Sequence, residues 1–458
     1  MKQFFTALQN IWQIDELRNR ILFTLGLLFV FRVGTFVLLP GVVPAQLELA
    51  AAGGGNDLLG LINVFTGGAF SKGAIFALGI MPYITASIIV QILGFAIPYF
   101  KKLQEREGES GRKTLNQITR ILTIAITLVQ GGAYLTYLDA QAQAVDPALS
   151  SGLFYVAGLI ILTAGTIFSM WLGEKITDKG IGNGVSLLIT IGIIATLPTA
   201  LIGEFSARSN SGGLFLFAVE LFALFGVVML TVLLVQGIRK IPVNYVKRMV
   251  GRGTADLVGA GSSTDNIPVK VIAAGVMPII FAQAMMFIPS TIAQLGAADG
   301  EAQTGWLLTQ LNDFTSPLYN VIYFVLVVVF TYVYTALIVD PQKYSEFLKS
   351  RNGFIPGVKP GTPTAEFIDS VTTRITLPGA MALGVIAILP AVAASFLGVD
   401  LSFAIFFGGT SLLIMVAVVL DTLQQIQSYL LMRRYDGLVK SGRVQGKAGA
   451  LQQIGSTI

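Results

Sequence analysis

Residues 57–97, DLLGLINVFTGGAFSKGAIFALGIMPYITASIIVQILGFAI, place a short apolar segment directly before a long one. Residues 74–97 are long enough to cross the roughly 30 Å hydrocarbon core of a bilayer as a helix. Residues 57–72 are too short to cross, and Gly67-Gly68 interrupts them. Two interpretations are open: a half-helix that re-enters the protein, or an interfacial segment lying flat outside. Irregular backbone at membrane depth must be buried in protein or line a cavity, so the first interpretation implies a central cavity.

Outward from this stretch, apolar runs of about 20 residues recur along the whole chain. The chain is 54% hydrophobic and 12% charged, against about 25% charged residues in a soluble protein. The first run is too long for a cleaved signal peptide. The sequence therefore predicts an all-α integral membrane protein with ten membrane-spanning helices, at residues 21–39, 74–97, 118–138, 152–172, 185–202, 214–236, 271–292, 318–339, 375–396 and 404–430.

The positive charges indicate how these spans are oriented. If the N-terminus is cytosolic, 26 of the 30 Lys and Arg fall in inside segments, or 27 with Arg120 at the edge of a span. Lys72 and Arg208 fall outside, and Arg32 lies within the first span. Both termini are therefore expected in the cytoplasm.

The spans also suggest a division of the chain. Five precede residue 203 and five follow residue 213, and an odd number per half requires the second half to enter from the opposite side. This arithmetic predicts two inverted five-helix halves around a central pore. The predicted parts are an interfacial helix at 1–20, the halves at 21–202 and 214–430, an external hinge loop at 203–213, and a cytosolic tail at 431–458.

The composition excludes most enzyme chemistry. The chain has no Cys and no His, which removes thiol nucleophiles, Cys/His zinc sites and Ser-His catalysis. It also has no Walker motif and no metal-ligand cluster, so we expect no cofactor. Few ionisable residues lie within the spans, namely Arg32, Glu220 and Asp421. We interpret them as interfacial or structurally paired, and a proton or ion relay is the alternative.

Two cytosolic loops, residues 237–270 and 340–374, are long and basic. The first contains IPVNYVKRMVGR, which indicates two extended runs joined by a turn. The second contains FIPGVKPGTPTAEFID, whose Pro and Gly residues rigidly present Lys359. The loops either only obey the positive-inside rule or form a docking face for an acidic or nucleic-acid-bearing partner.

Several stretches together resemble the SecY family of protein-conducting channels, and the resemblance covers essentially the whole chain. They are NVFTGGAFSKG, IFALGIMPYITASIIVQIL, REGESGRK, DKGIGNGVS, IPVNYVKRMVGR, FIPGVKPGTPTAEFID and FGGTSLLIMVAVVLD. The resemblance implies that residues 58–71 form a plug helix that seals the channel from outside. We call residues 58–71 the plug segment; the members singled out within it are Asn63, Phe65, Thr66, Gly67 and Gly68.

The resemblance further implies a ring of aliphatic side chains at mid-depth. A ring without hydrogen-bonding groups excludes water and ions, yet aliphatic side chains pack around an arbitrary polypeptide. Without the resemblance, such residues at i and i+4 would be read as lipid-facing or core. The implied pore ring consists of Ile80, Ile84, Val185, Ile189, Ile280 and Ile414.

In this family the second and third spans face the seventh and eighth across a lateral gate that opens to lipid. The residues that match the seam are Thr85, Gln130 and Ile272, and Ile272 departs from the polar residue of many relatives. Lys359 stands where relatives usually carry Arg, so the charge is kept and the bidentate guanidinium is lost.

The implied partners are the motor ATPase SecA, the ribosome through its RNA, the small membrane proteins SecE and SecG, signal sequences and nascent polypeptides, and membrane lipids. The implied docking residues are Arg239, Lys240, Lys247, Arg248, Arg252 and Lys359. The implied location is the plasma membrane of a bacterium.

Two function classes fit the span pattern: a passive protein-conducting channel and an ion-coupled solute transporter with inverted repeats. The scarcity of ionisable residues at depth, the plug-like segment and the large basic loops all favour the channel. An intramembrane protease is excluded, because the chain has no His, no Gly-x-Ser-x-Gly elbow and no pair of aspartates at mid-depth.

Overall fold

The structure of the chain is a computed structural model. It describes residues 14–43, 63–105, 108–141, 150–210, 213–245, 263–283, 315–399 and 401–440, with a few isolated positions between them. Most of the predicted interfacial helix, residues 58–62 of the plug segment, and the predicted docking residues Lys247, Arg248 and Arg252 lie outside the described residues.

The described chain is mainly helical. The helices are α1 Asp15–Gly34, α2 Met81–Ala96, α3 Pro98–Glu105, α4 Gly108–Thr136, α5 Ser151–Lys179, α6 Gly184–Asn210, α7 Leu214–Gln236, α8 Pro317–Ile338, α9 Pro341–Ser350, α10 Thr362–Leu397, α11 Leu401–Ala404 and α12 Gly409–Lys440. A π-helical turn, Tyr137–Gln141, follows α4, and a 3₁₀ turn, Ile405–Phe407, precedes α12. Within the described part, α4 to α8, α10 and α12 are long and apolar enough to cross a membrane. The predicted class of all-α membrane protein is confirmed, whereas the count of ten spans stays a prediction.

Two predicted spans begin later than their apolar pattern suggests. Residues 74–80 form turns, and α2 begins only at Met81; Gly79 has a left-handed φ of 52°, and Pro82 suits the first helical turn. Residues 271–276 also form turns, and the chain is helical from 277 to 283; Gly275 has a φ of 63°, and Pro278 follows. Ile80 and Ile272 therefore precede their helices.

Other boundaries shift in the opposite direction. Residues 15–20, predicted to belong to the interfacial helix, form the first turns of α1, where Leu17 is buried. Residues 203–210, predicted to lie in the hinge loop, continue α6 to Asn210.

An ion-pair network explains why α6 continues. Arg208 Nε donates to Glu204 Oε1 at 2.8 Å, and Arg208 Nη2 donates to Glu220 Oε1 of α7 at 2.7 Å. The same Nη2 donates to the carbonyl oxygens of Leu397 and Gly398 at the end of α10, at 2.9 and 3.0 Å. Both carboxylates are buried. Arg208 thus joins the first half of the chain to two helices of the second, and Glu220 is the structurally paired residue expected from the sequence.

Polar residues within the apolar helices bond to their own backbone. In α4 the hydroxyls of Thr119, Thr123 and Thr127 donate to carbonyl oxygens one turn earlier, at 2.7 to 2.9 Å. This satisfies the hydroxyls where water is absent.

The buried apolar residues form three clusters. The largest combines the plug segment with α1, α2, α5, α6, α8, α10 and α12. A second surrounds Phe70, Tyr134 and Phe154. A third lies beneath a three-stranded sheet of strands β1 Ile238–Tyr245, β2 Ser263–Lys270 and β3 Gly353–Phe354, in the order β2-β1-β3. The functional site lies in the first cluster.

Candidate functional site: a closed aliphatic constriction

The described part of the plug segment is folded inside the protein. Residues 63–65 make one helical turn and residues 66–73 make further turns, so the plug helix implied by the resemblance is only one turn long within the described residues. Gly67 and Gly68 have φ of 67° and 87°, a conformation that glycine adopts without steric cost. The backbone N–H of Gly68 donates to Asn63 O at 2.8 Å, and that of Ser71 donates to Asn63 Oδ1 at 3.0 Å. All residues from Val64 to Phe70 are buried, which agrees with the re-entrant interpretation.

Contacts with three helices hold this segment. A Cβ at Gly192 of α6 would lie 2.6 Å from Phe65 O, so glycine permits the two backbones to approach. Arg32 Nη1 at the end of α1 donates to Gly67 O at 2.6 Å. Tyr134 Oη of α4 donates to Phe70 O at 2.7 Å. The segment is therefore fixed through its main chain.

Four of the six predicted ring residues converge beneath Phe65. Ile84, Ile189, Ile280 and Ile414 come from α2, α6, residues 277–283 and α12, and all four line one cavity with Phe65. The cavity has a volume of about 20 Å³, which is room for about one water molecule. Its remaining lining consists of Met81, Thr85, Ile88 and Gln283. The arrangement is a narrow and mainly apolar constriction.

The other two ring residues are not part of the lining of this cavity. Ile80 and Val185 both approach Gly173 of α5, where a Cβ would lie 3.3 and 3.2 Å from their side chains. Val185 is placed by the start of α6, because Asn183 Oδ1 accepts the backbone N–H groups of Val185 and Ser186 at 3.1 and 3.4 Å. This is the N-cap geometry that asparagine favours.

The predicted gate residues occupy different positions. Thr85 faces the cavity and donates to Met81 O of its own helix at 3.1 Å. Gln130 is half-buried on α4, and Ile272 is buried in the turn before residue 277.

A hydrogen bond that the sequence did not indicate connects the two halves near this seam. Tyr334 Oη of α8 donates to Gln91 Oε1 of α2 at 2.6 Å. The ring of Tyr334 also contacts that of Phe281, with centroids 5.5 Å apart. The contact between α2 and α8 is thus polar at this point, whereas the aromatic contact joins α8 to residues 277–283.

The two basic loops meet in one platform, which we define as β1, β2, α9, β3 and the turn to α10. β1 pairs with β2 along its length and with β3 through Asn244 and Tyr245. The first extended run predicted in IPVNYVKRMVGR is β1, but its long partner is β2, residues 263–270, rather than the adjoining residues. Ile241 and Val243 of β1 pack with Leu348, Ile355 and Ile368 beneath the sheet.

Three of the predicted docking residues lie on this platform. Arg239 and Lys240 on β1 and Lys359 on the turn are all exposed. The turn is held by Ser345 Oγ, which donates to Gly361 O at 2.7 Å, and by Thr364 Oγ1, which donates to Lys359 O at 2.8 Å. The turn therefore presents Lys359 on a fixed backbone.

Comparisons with known proteins now identify the family. The family model described as SecY matches residues 74–423. The chain belongs to the SecY family. The Protein translocase subunit SecY of Streptomyces scabiei is 39% identical over 445 residues, 95% of this chain and all of that protein. The SecY of Chlamydia muridarum is 36% identical over 472 residues, 96% of this chain and 99% of that protein.

Solved structures support the same SecY fold. One described as a protein conducting channel has a TM-score of 0.63 at 16% identity, covering 89% of this chain and 91% of that chain. Another, described as Sec61 in the canine ribosome-channel complex, has a TM-score of 0.60 at 16% identity, again covering 89% and 91%. Membership of the SecY family does not support the solute-transporter alternative, and SecY proteins are not enzymes.

Sequence reasoning missed three residues of this SecY-family site. The sequence shows Arg32 only as a charge within a predicted span, because its contact with the plug segment requires the tertiary fold. Gln91 was visible as a polar residue in the apolar run ASIIVQIL. Gly192 is one of 50 glycines and carried no signal of its own.

Proposed function

We propose that this chain forms the pore of a protein-conducting channel that translocates unfolded secretory polypeptides across the membrane. The observation that carries the proposal is the constriction, in which four isoleucines from four elements close around a cavity of about 20 Å³ under Phe65. An aliphatic constriction makes no sequence-specific hydrogen bonds, so chains of differing sequence can pass. With the plug segment in place, the same residues exclude water and ions.

Lateral release of transmembrane segments into lipid is the second part of the proposal. The seam runs between α2 with α4 and residues 277–283 with α8, next to the predicted gate residues Thr85, Gln130 and Ile272. The hydrogen bond from Tyr334 to Gln91 crosses the seam. A signal sequence that entered the seam would have to replace this bond with apolar packing. The hydrophobicity of the segment thus sets how readily the gate opens.

The proposed setting is the plasma membrane of a bacterium, with ten spans in two inverted halves and both termini in the cytoplasm. The distribution of Lys and Arg supports this orientation. The chain has no Cys, so single cysteines can be introduced and treated with an impermeant thiol reagent. Cysteines at positions 145 and 300 should react from outside, and those at 110, 355 and 445 only after permeabilisation. Reaction of position 355 in intact cells would refute the orientation.

The proposed cytosolic partners are SecA and the ribosome, which we expect to bind the platform through Arg239, Lys240 and Lys359 and through Lys247, Arg248 and Arg252 beyond the described residues. Two observations support a docking role: β1 and β3 combine both basic loops in one surface, and the backbone that carries Lys359 is fixed. SecE and SecG are the expected membrane partners.

Reconstitution tests the proposed function directly. The chain, co-purified with its small membrane partners, is inserted into vesicles and supplied with SecA, ATP and a secretory precursor. The expected result is precursor that resists added protease until detergent is present. Vesicles that accumulate a small solute but never protect the precursor would refute the proposed channel function and favour a solute transporter.

A further inference from the structure

Arg32 is a charged residue inside the first predicted span, and it needs a physical reason to be there, because insertion of arginine at membrane depth is costly. It lies in the last turn of α1. Its Nη1 donates to Gly67 O at 2.6 Å and to Thr35 Oγ1 at 3.3 Å. Its guanidinium also lies over the Phe36 ring, 4.8 Å from the centroid. The guanidinium is thus held between the end of its own helix and the plug segment.

The acceptor is a carbonyl group of the turn inside the plug segment. Gly67 and Gly68 both have left-handed φ, so the chain reverses there. A hydrogen bond from a charged donor is stronger than one between neutral groups, and it is stronger still away from water.

A second cation from the same region approaches the same ring. Lys72, immediately after the plug segment, places Nζ 4.1 Å from the centroid of the Phe36 ring. Gly67 and Lys72, five residues apart, therefore both contact residues 32–36, at and just beyond the end of α1. The segment is tied to the end of α1 as well as to α6.

We propose that Arg32 is a latch that positions the plug segment in the closed channel, and that breaking its bond to Gly67 O is a step of plug release. The inference rests on the proposed function, because it needs residues 58–71 to be a plug. The alternative is purely local: a cation in the last turn of a helix is favourable wherever it occurs. The two roles differ in whether the effect of Arg32 depends on the plug segment.

The test measures resting ion conductance of reconstituted channel complexes in four variants: the parent, Arg32→Met, deletion of residues 60–70, and the two changes combined. Arg20→Met, in the same helix but bonded to Glu16 and Tyr429, is the matched control. We expect Arg32→Met to raise resting conductance about tenfold or more, which corresponds to the loss of one charge-assisted hydrogen bond. In the deletion background it should add nothing, and Arg20→Met should add nothing to the conductance of either background.

A disulfide provides a second readout. Cysteines replacing Phe65 and Ile189, which line the same cavity, should cross-link in the parent and less in Arg32→Met. If Arg32→Met prevents folding, Arg32→Lys keeps the charge with a shorter reach and should give intermediate leak and cross-linking.

Each outcome decides between the roles. An Arg32→Met channel as tight as the parent, or a leak that adds fully to that of the deletion, would overturn the latch. An equal fall in thermal unfolding midpoint in both backgrounds, without added leak, would indicate the local role. If the deletion itself leaves conductance unchanged, the plug assignment fails and the latch fails with it. If the deletion leaks and Arg32→Met does not, only the latch fails.

Discussion

Replacement of Gly192 by alanine should open the resting channel by displacing the plug segment. The added Cβ would lie 2.6 Å from Phe65 O and 3.2 Å from Gly67 N. Ordinary van der Waals contact begins at 3.4 Å, so the first distance is short by about 0.8 Å. Both neighbours are backbone atoms, which cannot rotate away as a side chain can. Overpacking of this kind costs about 1–3 kcal/mol. If the plug segment is what yields, a cost of about 2 kcal/mol raises the unplugged fraction about 30-fold.

The assay is ion leak from vesicles containing the channel complex. Gly203→Ala is the matched control, because it lies in the same helix and its Cβ would meet nothing within 4 Å. Alanine improves helix propensity similarly at both positions, so the comparison isolates the contact with the plug segment. Gly192→Ala should leak strongly and Gly203→Ala should remain tight. Equal tightness of the two variants would refute the close approach, and the placement of the plug segment with it.

Three further substitutions test other parts of the structure. Ile84→Asn puts an amide into the mainly apolar cavity, so resting conductance should rise in patch recordings, whereas Ile160→Asn at an exposed position of α5 should leave the conductance unchanged. An Ile84→Asn channel that does not leak would show that the seal lies elsewhere. Arg208→Met leaves two buried carboxylates without their cation and should destabilise the protein by about 3–5 kcal/mol, whereas Arg120→Met at an exposed pair should cost about 0–1 kcal/mol. Thermal unfolding in detergent measures both, and equal unfolding midpoints of the two variants would contradict the network. Lys359→Glu should abolish SecA-driven translocation in vesicles without lowering the amount of channel, whereas Lys359→Arg should be tolerated. Normal translocation by Lys359→Glu would mean that the charges of this loop only set the orientation of the chain in the membrane.

The sequence predicted those features that depend on composition over long windows. Seven helices follow from apolar runs, and the isoleucines of the constriction were identified through a family resemblance carried by short motifs. Helix starts were less visible, because the turns at 74–80 and 271–276 are as apolar as the helices that follow them. The local signals were nevertheless present: Gly79 precedes Pro82, and Gly275 precedes Pro278.

The sequence pattern does not predict contacts between distant parts of the chain. β1 pairs with residues 263–270 instead of its immediate continuation, and Tyr334 reaches Gln91 across 243 positions. The sequence shows only the depth of Arg32, and the fold places Gly67 O within its reach. Such contacts depend on how the helices pack against each other. In a membrane the apolar periodicity of a helix does not determine this packing, because an apolar face can contact either lipid or protein.

The central claim is that polypeptides pass through the aliphatic constriction, and site-specific cross-linking tests it most directly. A photoreactive residue is placed at Ile189, which lines the cavity, or at Ile160, which is 64% exposed on α5. A secretory precursor is then arrested midway through translocation, and the complex is irradiated. The account predicts that the precursor is captured from position 189 and not from position 160. Capture from position 160 but not from position 189 would show that the chain crosses elsewhere and would contradict the account.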